Sequence, residues 1–272
     1  KAIEDAQLIF YFGYDFEPSL IKLIQAPTNS ATKVAVGEVA VPNPILSEDG
    51  HSHGHSHDHS HDHGHDHSHD HDPDQKDSKG EKQAEGKQPD PHVWHDAQNG
   101  IQMVKVIQNH LTKAAPTQTD LYAKNAQTLT TELAQIDGWI KSQIATIPSA
   151  ARRLVTTHGA LGYYSAAYGI PVEGALQGLS TKEKPTAARI KELTEVIKAD
   201  RVPTIFAEVS TNPKLITTVA KEANVKLSEQ ALFADGLGEP GSEGDTYPKM
   251  LIANTKAIVE GLGGQYVAFQ IK

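Results

Sequence analysis

The sequence predicts an α/β protein made of two blocks with one long helix between them. Strand-like apolar runs alternate with helical patterns, the layout of largely parallel sheets. The alternation begins twice, at Leu8-Ile9-Phe10-Tyr11-Phe12 and again at Leu154-Val155-Thr156. Between these starts Tyr122, Ala126, Leu129, Leu133, Ile136, Ile140, Ile144 and Ile147 recur at spacings of three and four. That period predicts a helix of roughly 27 residues, on the order of 40 Å long at 1.5 Å per residue. Such a helix fits two arrangements equally well: a spine along both blocks, or a surface helix packed on one sheet.

In the first block, Lys1–Gln7 reads as the end of a helix and runs straight into the Leu8–Phe12 strand. A start partway through a βαβ unit predicts further residues upstream. A short helix over Ser19–Gln25 and a strand at Lys33-Val34-Ala35-Val36 follow. Order resumes at Pro91-His92-Val93-Trp94, which leads into a helix with Ile101, Val104, Ile107 and Leu111 on one face. Pro116 precedes the long helix and Pro148 closes it. In the second block, Ala160–Tyr168 predicts a helix, and Pro185-Thr186 opens another through Ile190, Leu193 and Ile197. Thr204-Ile205-Phe206-Ala207 reads as a strand. Asn212-Pro213 supplies N-cap and N1 for a helix bearing Leu215, Ile216 and Val219. A helix over Tyr247–Gly261 and a final strand, Tyr266-Val267-Ala268-Phe269, complete the pattern.

Composition narrows the function. Of a net charge of −9, the segment 48–90 carries −8, from 12 Asp/Glu and 4 Lys. The rest is therefore near −1 and has no basic cluster, which argues against a nucleic-acid partner. No apolar run approaches the roughly 20 residues that span a bilayer, so no membrane insertion is expected. The chain has no cysteine, which excludes disulfides, thiol nucleophiles, Fe–S clusters and cysteine-type zinc sites, and suits an oxidising compartment.

The strongest signal is a histidine at every second position: His51, His53, His55, His57, His59, His61, His63, His65, His67, His69 and His71, with Ser, Gly and Asp between. Neutral imidazole is a favoured ligand for Zn²⁺, Cu²⁺ and Ni²⁺, and adjacent carboxylates hold a divalent cation nearby. Nothing here can build a core, so 48–90 is expected to be a metal-binding loop, disordered without metal. A purification tag or a solvated linker are the bland alternatives.

Four histidines lie outside this run. His110 sits near a helix end among polar neighbours, as a solvent-facing residue would. His92 follows Asp90-Pro91, where proline forces an extended entry, and His95 stands three residues on, a spacing that can put both on one helical face. His158 follows the Leu154–Thr157 strand and precedes Gly159, at a carboxyl end of a strand where open α/β sheets place ligands. Asp235 follows the apolar Ala231–Ala234 and precedes Gly236. Each alone is commonly structural. Together, two histidines and an aspartate at loop edges of separate blocks form a candidate constellation. Gly236-Leu237-Gly238-Glu239-Pro240-Gly241 fits G-x-G-x-x-G literally, but Pro240 and the polar residues after it open no phosphate-binding helix. HExxH and Walker loops are absent from the sequence, and no G-x-S-x-G elbow stands between a strand and a helix pattern.

Asp90-Pro91-His92-Val93-Trp94 resembles the D-P-H-x-W signature of metal-specific substrate-binding proteins of bacterial ABC importers. Thr157-His158-Gly159-Ala160-Leu161-Gly162-Tyr163 is similar to that family's second ligand motif, and Ile205–Glu208, Asn212-Pro213, Ala234–Leu237 and Tyr247–Asn254 match further segments. The zinc-specific branch, with an acidic histidine-rich insertion in this place, is the nearest likeness. The resemblance implies two Rossmann-like lobes, expected at 1–115 and 149–272, joined by a rigid helix within 116–148. It implies one metal in the cleft, held by His92 from the first lobe and His158 and Asp235 from the second. It also implies one more histidine, from a segment upstream of Lys1. Manganese members carry Glu where His158 stands, so an imidazole here points to Zn²⁺. The expected function is capture of Zn²⁺ in the periplasm by a monomer and delivery to an ABC transporter permease, with the loop as an accessory collector. A zinc storage protein or chaperone, a manganese receptor and a mononuclear metalloenzyme are the competing readings; no general base accompanies the ligands in sequence, as an enzyme would need.

Overall fold

The computed structural model describes residues 2–26, 30–47, 87–182 and 184–271. The histidine run 51–71 lies outside the described residues. The chain enters through α1 (Ala2–Asp5), β1 (Leu8–Tyr11), α2 (Pro18–Gln25), β2 (Thr32–Ala35) and α3 (Val36–Ala40). β1 and β2 pair in parallel from Leu8↔Thr32 to Tyr11↔Ala35. Two short strands, β3 (Leu46–Ser47) and β4 (Gln88–Pro89), pair antiparallel. The expected loop boundary at Asp90 therefore moves: Gln88–Pro89 is strand, and Asp90 is 1% exposed. A 3-10 turn (Val93–His95) leads into α4 (Ala97–Ala114), which starts where Asp96 accepts a hydrogen bond from the Gln98 N–H.

The long helix is α5 (Thr119–Ala145), 27 residues. It packs against α4 before it and against α6 (Gly162–Tyr168) and α9 (Tyr247–Gly261) after it. That decides between the two arrangements the periodicity allowed. Leu133, Ile136, Ile140 and Ile144 share one continuous core with Trp94, Ala97 and Ile101 from the first half and with Leu154, Tyr164, Phe206, Met250 and Ile258 from the second. The fold is the two-lobed α/β architecture with a long helix.

In the second half, β5 (Leu154–His158) pairs in parallel with β6 (Val172–Gln177), and β7 (Thr204–Ile205) with β8 (Lys226–Leu227). Phe206 N donates to Val155 O at 2.9 Å, which ties β7 beside β5. α7 (Ala187–Ala199) and α8 (Lys214–Ala223) bury Leu193, Ile197, Ile216 and Val219 against Val155, Leu176 and Ile205 in a second core. Thr186 caps α7. Asn212 Oδ1 accepts from Lys214 N at 3.0 Å, and α8 begins one residue later than the sequence suggests, with Pro213 at the N-cap.

The expected final strand at 266–269 is not formed. The segment instead lies along α5, where Trp139 Nε1 donates to Val267 O and Gln143 Oε1 accepts from Val267 N. Helix side chains satisfy its backbone, and Trp139 packs edge-on against Tyr266 and Phe269. His110 is also a correction. It is half-buried, edge-on to Phe10 at 6.4 Å, because the polar neighbours lie on other faces of α4.

Ser47 and Gln88 face each other across an antiparallel pair, so a two-residue turn suffices to join them. Replacing residues 48–87 by Asn-Gly is expected to leave the metal-free fold intact. A thermal melt followed by circular dichroism checks this; loss of the cooperative transition is the contrary outcome.

Candidate metal centre

Three separate connections deliver the site. His92 stands just before the 3-10 turn, held by the stiff Asp90-Pro91 entry. His158 ends β5, paired across to Gln177 on β6. Asp235 follows the short parallel bridge between Leu232 and Glu208. The structure brings all three together: one ligand atom from each lies within 4.8 Å of the others. His92 Nε2 is 3.3 Å from His158 Nε2. Asp235 Oδ1 is 3.4 Å from His92 Nε2 and 2.9 Å from His158 Nε2.

The same device orients both imidazoles. Asp90 Oδ1 accepts from the His92 backbone N–H at 2.9 Å and faces its ring Nδ1 at 2.7 Å. Glu208 repeats this on His158, with Oε1 accepting from the backbone N–H at 2.9 Å and Oε2 facing Nδ1 at 2.5 Å. A carboxylate accepts, so Nδ1 carries a proton in each ring and the Nε2 lone pair is left for the centre. Asp90 and Glu208 are themselves buried, at 1% and 3% exposed. Gly162 makes room for the first of them: a Cβ there would stand 2.8 Å from Asp90 Oδ2.

Two imidazole lone pairs and a carboxylate oxygen thus converge with no donor between them, an arrangement that a cation satisfies. Without one, protons take that role. Burial disfavours charge on His158, but the hydrogen bonds and negative charge of Asp235 and Glu208 outweigh it and raise its pKa to about 9. His92 is raised likewise, against its burial, by Asp235 and Asp90. Burial pushes Asp235 up, yet the two histidines prevail and hold its carboxyl well below the usual range. Phe16 at 6.0 Å and Trp94 at 5.2 Å wall His92 on its apolar side. Asp235, with 22% of its side chain exposed, is the more open of the three.

His95 is not drawn into the group. The turn is 3-10, and its ring points to Ala234 O, 3.0 Å from Nε2. Burial, with the nearby His92 charge, drives its pKa down to about 3, so it is neutral. The G-x-G-x-x-G stretch is loop, closed by Gly238 N to Gly244 O, and the next helix begins only at Tyr247. Sequence reasoning did not single out the clamping roles of Asp90 and Glu208. A signal for Glu208 was present: it follows the Thr204–Ala207 strand pattern, at a carboxyl end like His158. Asn254 was also missed as a support; its carboxamide holds Phe233 N and O, each at 2.8 Å.

Comparison with known proteins gives the family and the fold. Residues 1–261 match the family described as ZnuA, zinc-uptake complex component A, periplasmic. The manganese ABC transporter substrate-binding lipoprotein PsaA of Streptococcus pneumoniae serotype 4 is 35% identical over 182 residues, 67% of this chain and 58% of that protein. The manganese-binding lipoprotein MntA of Halalkalibacterium halodurans is 31% identical over 173 residues, 64% of this chain and 57% of its own length. The chain thus spans less than two thirds of these relatives. Among solved structures, the periplasmic zinc-binding protein TroA from Treponema pallidum superposes with a TM-score of 0.76 at 27% identity, covering 96% of this chain and 82% of that one. The Mn-bound periplasmic metal-binding protein from Candidatus Liberibacter asiaticus shares the fold, with a TM-score of 0.72 at 21% identity over 96% of this chain and 82% of that one. The family is one of substrate-binding receptors of ABC transporters, not of enzymes. With 261 of its 272 residues matched, this chain belongs to the zinc-uptake complex component A family.

Proposed function

We propose that this protein captures Zn²⁺ in the periplasm, binding it between His92, His158 and Asp235, and passes it to the permease of an ABC transporter. The lobes bearing these ligands are 1–115 and 149–272, on either side of the linker helix. The observation that carries the reading is the size of the ligand triangle. A tetrahedral ion with bonds of about 2.0–2.1 Å needs ligand atoms about 3.3–3.4 Å apart. Two edges, 3.3 and 3.4 Å, already have that length, and the 2.9 Å edge need open only slightly. Two imidazoles and one carboxylate form a nitrogen-rich set that suits zinc. The residues His51–His71 act as a lower-affinity collector, because alternating imidazoles offer many overlapping ligand sets.

A second reading, manganese as cargo, is favoured by the descriptions of PsaA and MntA as manganese proteins. Competition binding separates the two. Zn²⁺ is expected to displace Mn²⁺ from the wild-type cleft, and His158→Glu to move the preference toward Mn²⁺ by hardening the site. Zinc preference undiminished in His158→Glu would contradict the role given to this imidazole.

Calorimetric titration tests the ligand set. Glu208→Gln is expected to weaken zinc binding about 10–100-fold by loosening the His158 ring, and His158→Ala to weaken it more, since a direct bond is lost. Unchanged tight binding in His158→Ala would refute the assignment.

The sign of the pH dependence follows from the bound form, which requires neutral His158 at Nε2, whereas the metal-free form holds a proton there up to about pH 9. Zinc binding should therefore release protons at neutral pH. Affinity should rise with pH toward 9 and fall by up to about tenfold per unit below it for this group. Titration in buffers of different ionisation heat measures the release; none at pH 7 would be the contrary result.

A further inference from the structure

His95 is 0% exposed and stands outside the metal cluster. A carbonyl only accepts, so the 3.0 Å contact with Ala234 O puts the proton on Nε2. Nδ1 is then a buried lone pair with no partner among the described residues. Leaving such an atom unpaired is unfavourable, and an apolar side chain of similar size would avoid it. Among the described residues, the ring's one polar contact is thus the Nε2–H bond to Ala234. Trp94 Nε1 donates to the same oxygen at 3.0 Å. Both donors come from the single turn after His92, and the acceptor belongs to the residue before Asp235.

The rest of the segment is anchored earlier. Leu232 N donates to Ala207 O and Val209 N to Leu232 O, both at 2.9 Å, and Asn254 holds Phe233 at both polar atoms. The Trp94–His95 pair is therefore the anchor nearest to Asp235 in sequence.

We propose that His95 is a positioning residue: with Trp94 it fixes the Ala234 carbonyl and so sets where the Asp235 carboxylate meets His92 and His158 Nε2. This rests on the metal-site reading above. Metal–ligand distances tolerate errors of only about 0.2 Å, so a backbone free to shift at Ala234 would spoil the site while leaving all three ligands present.

Three variants of the full chain test this, each titrated with Zn²⁺ and with Co²⁺, whose visible d–d bands report coordination geometry. His95→Leu fills the space, removes the donor and removes the unpaired Nδ1. It is expected to bind both ions about 10–100-fold more weakly, with altered Co²⁺ bands and a metal-free melting point no lower than wild type. His95→Gln offers an N–H at the same reach and is expected to restore affinity and spectrum. The proposal is overturned if His95→Leu matches wild type in both, or if His95→Gln is as weak as His95→Leu. Should His95→Leu not fold, Trp94→Phe, which removes the other donor to the same oxygen, is read with the same expectations. His158→Ala is the reference: wild-type binding there sinks the metal site itself, whereas loss there beside an unaffected His95→Leu sinks only the positioning role.

Discussion

An imidazole side chain can rotate about two torsions, and each of its nitrogens can hold the proton. Two such rings present lone pairs to one point only if something removes both freedoms. Here a buried carboxylate does so twice. Asp90 grips the backbone N–H and ring Nδ1 of His92, and Glu208 grips the same two groups of His158. Each fixes ring direction and tautomer in one contact and raises ligand basicity. The separations around Asp235 Oδ1 follow from these clamps. A clamp buried at 1–3% exposure is stiff because few solvent molecules compete for its hydrogen bonds and the low local dielectric strengthens them.

The clamps would be useless if the elements that carry them drifted apart. Residues from positions 94 to 262 share one core around α5. Polar ties across long sequence separations reinforce it: Tyr247 OH donates to Trp94 O at 2.7 Å, Tyr163 OH to Asp90 O at 3.2 Å, and Ala97 N to Tyr168 OH at 3.2 Å. Gly100 permits the first of these, since a Cβ there would fall 2.4 Å from the Tyr247 hydroxyl. The triangle of candidate ligand atoms is thus held together without an ion, the preorganisation that the proposed metal site needs.

Charge completes the design. Asp90, Glu208 and Asp235 bring three carboxylates around two imidazoles, and the aromatic wall of Phe12, Phe16 and Trp94 limits solvent screening on one side. The surplus of negative charge draws protons onto the histidines when no cation is bound, as the raised pKa of His158 records. A divalent ion would compete with those protons for the same lone pairs, so on the proposed function capture and proton release are one event.

The class of fold and the three residues of the candidate metal site were legible in the sequence. Periodicity reports which face of a helix is apolar, so α5 and the strand–helix alternation were legible without coordinates. His158 and Asp235 were legible because ligands in open α/β sheets sit at the ends of strand-like runs, His92 because proline stiffens the chain before it, and the family resemblance singled out the same positions. Tertiary structure decided what local pattern cannot carry. The 266–269 run has the apolar alternation of a strand, yet the side chains of Trp139 and Gln143, more than 120 residues away, satisfy its backbone instead. His95 has the spacing of a second ligand, but the 3-10 turn aims its ring at Ala234, 139 residues on. Glu208 became a clamp only because β7 packs beside β5. Each outcome depends on a partner remote in sequence, and a hydrogen bond has no signature in a chain until folding has brought both of its ends together.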